Sequence, residues 1–167
     1  MATGALVSEQ EYLSTNYKPE CEYIDGVLRQ KSMPTSDHGT IQIGLGATIR
    51  QISREFIPGS EIRCHIRPGE YLVPDLVVQL RERYQHPYPT EPVHLCVEIL
   101  SPDDSFGETV KKCEEYHRWG VEMTWIIDPE SHRAWECARG QRPVEVPAGG
   151  SITAAGISIL LDSMFEF

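Results

Sequence analysis

Two carboxylates interrupt runs that otherwise read as buried strand. Asp75 lies within Tyr71-Leu-Val-Pro-Asp-Leu-Val-Val78, and Glu98 within Leu95-Cys-Val-Glu-Ile-Leu100. Burying an ionised carboxylate without a cation or a donor is strongly unfavourable, so each of these acids requires a partner. If the two strands pair, both carboxylates converge on one hard divalent ion. A lysine brought near them, for which Lys112 in the following stretch is the candidate, can stabilise negative charge developing on a phosphate. The chemistry open to such a trio is metal-assisted hydrolysis of a phosphate ester.

The elements that must position these residues follow from local pattern. Ser8-Glu-Gln-Glu11 is a capping-box sequence and predicts a short helix to about Asn16, closed by Lys18-Pro19. Glu22 to Leu28 reads as two strands around an Asp25-Gly26 hairpin turn. Pro34-Thr-Ser-Asp breaks the second strand, and a longer helix is expected from about His38 to Phe56, with Ile41, Leu45, Thr48, Ile49 and Ile52 at helical spacing. Gly44 and Gly46 weaken it and could permit close packing on a sheet.

From Glu61 to Arg67 the pattern alternates, Pro68-Gly69 turns the chain, and Tyr71 to Leu80 reads as one strand interrupted by Pro74. After a polar loop from Arg81 to Pro92, the near-continuous apolar run Val93 to Leu100 predicts a central strand covered on both faces. Ser105-Phe-Gly-Glu108 offers a second capping box for a helix from Phe106 to Trp119 that can stop at Gly120. Met123 to Ile127 and Arg133 to Cys137 form a hairpin about the turn Asp128-Pro-Glu-Ser131, where Asp128 is read as a turn former. Gly149-Gly150 and Ile157 to Leu161 add a loop and an edge strand. The expected class is α/β or α+β, a mixed β-sheet flanked by helices, in a single domain over residues 1–167.

The last helix discriminates between its two lysines. At about 100° per residue, Phe106, Val110, Cys113 and His117 share one sector and Tyr116 borders it. Lys111 points nearly opposite, into solvent. Lys112 lies on the flank beside Thr109 and Tyr116, from where a long side chain can cross the packed surface. Only Lys112 is placed to reach the carboxylates.

Composition removes several alternatives. A length of 167 residues with 40% hydrophobic content suits one core-bearing domain, and no run approaches the roughly 20 apolar residues needed to cross a bilayer. The N-terminus has neither a basic start nor a sustained apolar stretch, so a soluble cytoplasmic protein is expected. The five cysteines show no Cys-x-x-Cys spacing and are expected to be reduced core residues; the six histidines form no metal-type cluster, which disfavours zinc. A net charge of −10 argues against nucleic-acid binding through bulk charge, though not against a local groove, since Arg50, Arg54, Arg63, Arg67, Arg81 and Arg83 crowd the middle third.

The ordered set Glu22-Tyr-Ile-Asp-Gly, Pro34-Thr-Ser-Asp-His38, Pro74-Asp75, Val97-Glu98-Ile-Leu-Ser-Pro102, Lys112-Cys-Glu-Glu-Tyr116, Gly120-Val and Trp125-Ile-Ile-Asp-Pro129 resembles the Uma-two family of restriction-endonuclease-like proteins, within the PD-(D/E)XK nuclease superfamily. The resemblance runs from about Ser8 to Leu161 and implies a restriction-endonuclease-like core. It makes Asp75 and Glu98 the metal ligands. The usual Glu-x-Lys is absent because position 100 is leucine, and the resemblance places the lysine on the next helix, at Lys112. Glu22 matches an acidic residue that could add a ligand or hold a water; it could equally pair with an arginine. His38 matches a family histidine, and reads otherwise as an N-terminal helix residue with a backbone partner.

What the resemblance implies is Mg²⁺- or Mn²⁺-dependent hydrolysis of nucleic acid, DNA being the expected substrate, with the ion held by Asp75, Glu98 and a backbone carbonyl near Ile99. Lys112 would orient or help deprotonate the attacking water, or neutralise charge on the phosphorane-like centre. Superfamily enzymes that cut both strands commonly pair up, so a homodimer is an expectation as well. The competing reading is a binding module that holds nucleic acid or a protein without cutting it. A small-molecule metal hydrolase would require a closed apolar pocket.

Overall fold

The computed structural model describes residues 5–167. Helix α1 spans Glu9–Ser14, and the Ser8 hydroxyl accepts from the Glu11 N–H as its capping sequence demands. Strands β1 (Cys21–Ile24) and β2 (Val27–Gln30) close a hairpin in which Ile24 opposes Val27. Asp25, at φ 49°, and Gly26, at φ 90°, supply the left-handed turn that Asp-Gly favours. Helix α2 runs Ser36–Ile52 behind the Thr35 cap. It stops four residues short of Phe56, and its inward stripe is His38, Ile41, Leu45 and Ile49, while Ile52 is exposed. Gly46 faces Leu76, where an added Cβ would lie 3.5 Å away, so one of the two helix glycines does serve close packing; Gly44 faces open space.

Phe56 instead opens β3 (Phe56–Ser60), an element absent from the sequence reading. Pro58 and Gly59 disguise it, and both are tolerated because β3 is the edge of its sheet. Strand β4 (Cys64–Arg67) turns at Pro68-Gly69 into β5 (Glu70–Leu72). The expected single strand from Tyr71 to Leu80 is two strands in two different sheets, β5 and β6 (Leu76–Leu80). The break at Val73-Pro74-Asp75 is therefore a crossing between sheets, where a residue without an N–H costs no ladder bond. A 3₁₀ turn (Arg81–Arg83), β7 (Leu95–Ile99), α3 (Phe106–Trp119), β8 (Met123–Asp128) and β9 (Arg133–Ala138) follow. The chain ends with β10 (Val144–Glu145), the hairpin β11 (Ser151–Ala154) and β12 (Ile157–Leu160), and a second 3₁₀ turn (Asp162–Met164).

The strands form a four-stranded sheet, β2-β1-β5-β4, a six-stranded sheet, β10-β9-β8-β7-β6-β3, and the β11-β12 hairpin. The six-stranded sheet is mixed: β7 and β8 run parallel, linked through α3, and its other neighbours are antiparallel. Strand β7 is central and buried throughout, as its apolar run requires. Its side chains alternate. Leu95, Val97 and Ile99 join the core under α2 and the terminal hairpin, whereas Cys96 packs with Tyr116 of α3. By the same alternation Glu98 faces α3. All five cysteines are buried free thiols. Among the described residues no helix is long and apolar enough to cross a membrane.

Candidate active site

The seam between the two sheets and α3 gathers the acids. Asp75 sits on the crossing, Glu98 on the α3 face of β7, Glu22 on β1 and His38 in the first turn of α2. All four are at most 6% exposed. With Ile99 and Lys112 they line one cavity of ≈ 170 Å³. Every residue singled out from sequence thus meets at one place. A larger cavity, ≈ 440 Å³, opens beside Arg83, His94 and Met123, but its lining brings no two carboxylates together.

Lys112 is the hinge of one half of the site. Its Nζ lies 2.6 Å from Glu22 Oε1 and 3.0 Å from Glu98 Oε1, and donates to the Val73 carbonyl at 3.3 Å. Tyr116, one turn on, donates its hydroxyl to Glu98 Oε1 at 2.7 Å, while the Val73 N–H donates to Glu22 at 3.0 Å. Glu22 therefore pairs with the helix lysine rather than with an arginine. Lys111 points outward and pairs with Glu108, as the helical angles require. That pairing also replaces the expected second capping box, since Ser105 makes no side-chain cap.

Asp75 anchors the other half. Its Oδ2 accepts the Ile99 N–H at 2.7 Å and lies 3.4 Å from His38 Nε2. Its Oδ1 is held at 2.7 Å by Lys31, which also contacts Glu61 at 2.9 Å and the Val73 carbonyl at 2.9 Å. Lys31 was invisible to sequence reasoning. It follows β2 in a polar stretch, Arg29-Gln-Lys-Ser32, with no apolar frame to mark it as buried. Only the pairing of β1 with both β2 and β5 turns that stretch toward Asp75.

Environment sets the protonation states apart. Burial raises the Asp75 carboxyl, but Lys31 and His38 outweigh it and hold the group well below the usual carboxylate range. Burial dominates at Glu98, which is pushed up to about 7 even though Lys112 opposes the shift. An ion-paired glutamate would ordinarily be lowered; here the lysine's charge is shared with Glu22, and the neighbouring Asp75 adds repulsion. Burial works to lower Lys112, but Glu22 and Glu98 hold it well above its ordinary value, so it keeps its proton. His38 is raised, the Asp75 carboxylate overcoming burial, and its Nδ1 is buried without a partner.

Could a divalent ion fit? With all four acids ionised and His38 neutral, Glu22, Glu61, Asp75 and Glu98 exceed the two ammonium groups of Lys31 and Lys112 by two negative charges, the second of them gained only as Glu98 loses its proton at about 7. Oxygen donors with residual charge suit Mg²⁺, which takes one or two carboxylates and retains its waters. Among the described residues no group of three or more His, Cys, Asp and Glu stands ready to hold a metal, so the protein would supply two carboxylates rather than a closed cage.

The model of the family described as "Putative restriction endonuclease", Uma2, matches residues 8–158. The chain belongs to the Uma2 family. A solved structure from Anabaena variabilis, described as "a putative nuclease belonging to DUF820", shares the fold with a TM-score of 0.81. It is 23% identical to this Uma2 chain, over 93% of this chain and 96% of that one. None of the curated proteins matches. The Uma2 match spans the hairpin carrying Glu22, the crossing carrying Asp75, β7 and α3, so the whole cavity lies within it.

Proposed function

We propose that this Uma2 protein is a metal-dependent endonuclease that hydrolyses phosphodiester bonds of DNA. The observation that carries the reading is the convergence of Asp75, Glu98 and Lys112, from a sheet crossing, a central strand and a helix, on one polar cavity. Mg²⁺ or Mn²⁺, held by Asp75 and Glu98 with the Ile99 carbonyl, would supply Lewis-acid polarisation of the phosphate and of the attacking water. The Ile99 N–H faces Asp75, and in a strand the N–H and carbonyl of one residue share a side, which supports that carbonyl as the third donor.

The chain's own side chains then divide the work. Lys112, kept protonated by two carboxylates, acts as a donor and a fixed positive charge toward the phosphate rather than as a base. Tyr116 orients Glu98 through its 2.7 Å hydrogen bond, and His38 with the Ile99 N–H orients Asp75. Glu22 holds Lys112 on the cavity side of α3.

One observation favours a second reading, a non-catalytic binding module. Asp75 and Glu98 each already have a lysine, so neither carboxylate depends on an ion for a partner. The test is conversion of supercoiled plasmid to nicked and linear forms with Mg²⁺, with Mn²⁺ and with chelator. Metal-dependent cutting that falls by about 10²-fold or more in Asp75→Ala and Lys112→Ala is expected. Wild-type activity in either variant overturns the assignment, and folded protein that binds DNA without cutting it selects the binding module.

A further inference from the structure

Lys31 has no place in the division of work above, yet it is the cation nearest Asp75. Its side chain is 13% exposed and its three contacts, with Asp75, Glu61 and the Val73 carbonyl, match the three donors of an ammonium. Such burial is costly unless the partners are fixed. They are. Gln42 Nε2 donates both to Glu61 Oε1 and to the Asp75 carbonyl, and the Glu61 N–H donates to that same carbonyl at 3.3 Å. Glu61 adopts φ 53° to do so, a left-handed conformation that a glutamate rarely takes and that the surrounding bonds must enforce.

The two carboxylates of Lys31 are not equivalent. The Asp75 side chain is 5% exposed and lies in the cavity, whereas that of Glu61 is 38% exposed. Lys31 can therefore leave Asp75 and remain paired at the edge of the site. A divalent ion on Asp75 would meet the ammonium at close range and be repelled by it.

We propose that Lys31 is a built-in counter-cation, a positioning residue that holds Asp75 in place in the metal-free protein and competes with the divalent ion for it, giving way toward Glu61 when the ion binds. This rests on Asp75 being a metal ligand. The charge of Lys31, and not its shape, then sets the affinity for the ion.

The experiment is calorimetric titration of the intact protein with Mn²⁺, with folding of each variant checked by thermal unfolding. Lys31→Met should bind Mn²⁺ about tenfold more tightly than wild type, and Lys31→Arg, which keeps the charge, should stay within about threefold of it. Should the methionine variant fold poorly, Lys31→Gln keeps a polar contact without the charge and should show the same tightening. Asp75→Ala should lose the binding altogether. Unchanged or weaker Mn²⁺ binding in folded Lys31→Met and Lys31→Gln, with Asp75→Ala still losing it, overturns the counter-cation alone. Undiminished binding in Asp75→Ala removes the metal-ligand reading and the counter-cation with it.

Discussion

Asp75 and Glu98 are both buried acids within one cavity, yet burial and lysine partners drive their protonation in opposite directions. That difference has a consequence for stability in the absence of metal. Glu98 is raised from 4.5 to about 7, so between those values the folded protein binds more protons than the unfolded chain, and stability falls as pH rises through the window. Asp75 is lowered from 3.8, so its contribution is present above that value and is lost as pH falls below it. His38, raised from 6.5, contributes below that value and fades as pH climbs through its higher folded value. Glu98→Gln mimics the protonated acid and should remove the decline between about 4.5 and 6.5, on the order of 2 kcal/mol by urea unfolding, while the His38 decline above remains. An unaltered pH profile in that variant would assign the window to other groups. At this scale the sequence was legible wherever an acid broke an apolar frame, as at Asp75 and Glu98. Lys31, among polar neighbours, offered no such contrast.

Among the elements, α3 shows how a sequence pattern can place a side chain. Its buried Cys113 and Tyr116 and the outward Lys111 follow from 3.6-residue periodicity, and the same geometry turns Lys112 inward. Strands were less legible for a physical reason: alternation is local and says nothing about which sheet a strand joins. Tyr71 to Leu80 is one apolar run interrupted by Pro74-Asp75, yet it serves two sheets, and β3 hides behind Pro58 and Gly59. The C-terminus of α3 offers a direct test of how tightly the helix is seated. Gly120 adopts φ 125° and its N–H caps the helix to Tyr116 and His117, while a Cβ there would come 2.7 Å from Pro92 Cγ. Gly120→Ala should cost about 1–3 kcal/mol in chemical unfolding and lower Tm, through strain and the collision with Pro92. A change below about 0.5 kcal/mol would mean that the loop carrying Pro92 yields freely and does not fix α3.

For the molecule as a whole, the net charge of −10 bears directly on how a polyanion could approach. Many of the arginines are already committed: Arg63 to Glu20, Arg67 to Asp25 and Glu70, Arg133 to Glu145 and Arg139 to Glu122. At the cavity, Lys31 and Lys112 are enclosed by carboxylates, and Arg29 at the exposed rim is the cation that neither buried pair uses. Nucleic-acid affinity ordinarily comes from lysines and arginines that release counterions from the phosphates, and in the cavity lining Arg29 alone is left for that, since Arg50, Arg54, Arg81 and Arg83, though outside any ion pair, are not part of it. If DNA is the substrate, divalent ions must neutralise the approach as well as serve the chemistry. Gel-shift measurements at about 0.15 M salt should therefore find no retained DNA with chelator, and retention with Ca²⁺ that disappears in Asp75→Ala. Arg29→Ala should weaken the Ca²⁺-dependent complex about threefold to tenfold, the range for loss of one phosphate contact. Equal retention with chelator and with Ca²⁺ would instead locate a positive face away from the cavity, and would shift weight from cutting to binding.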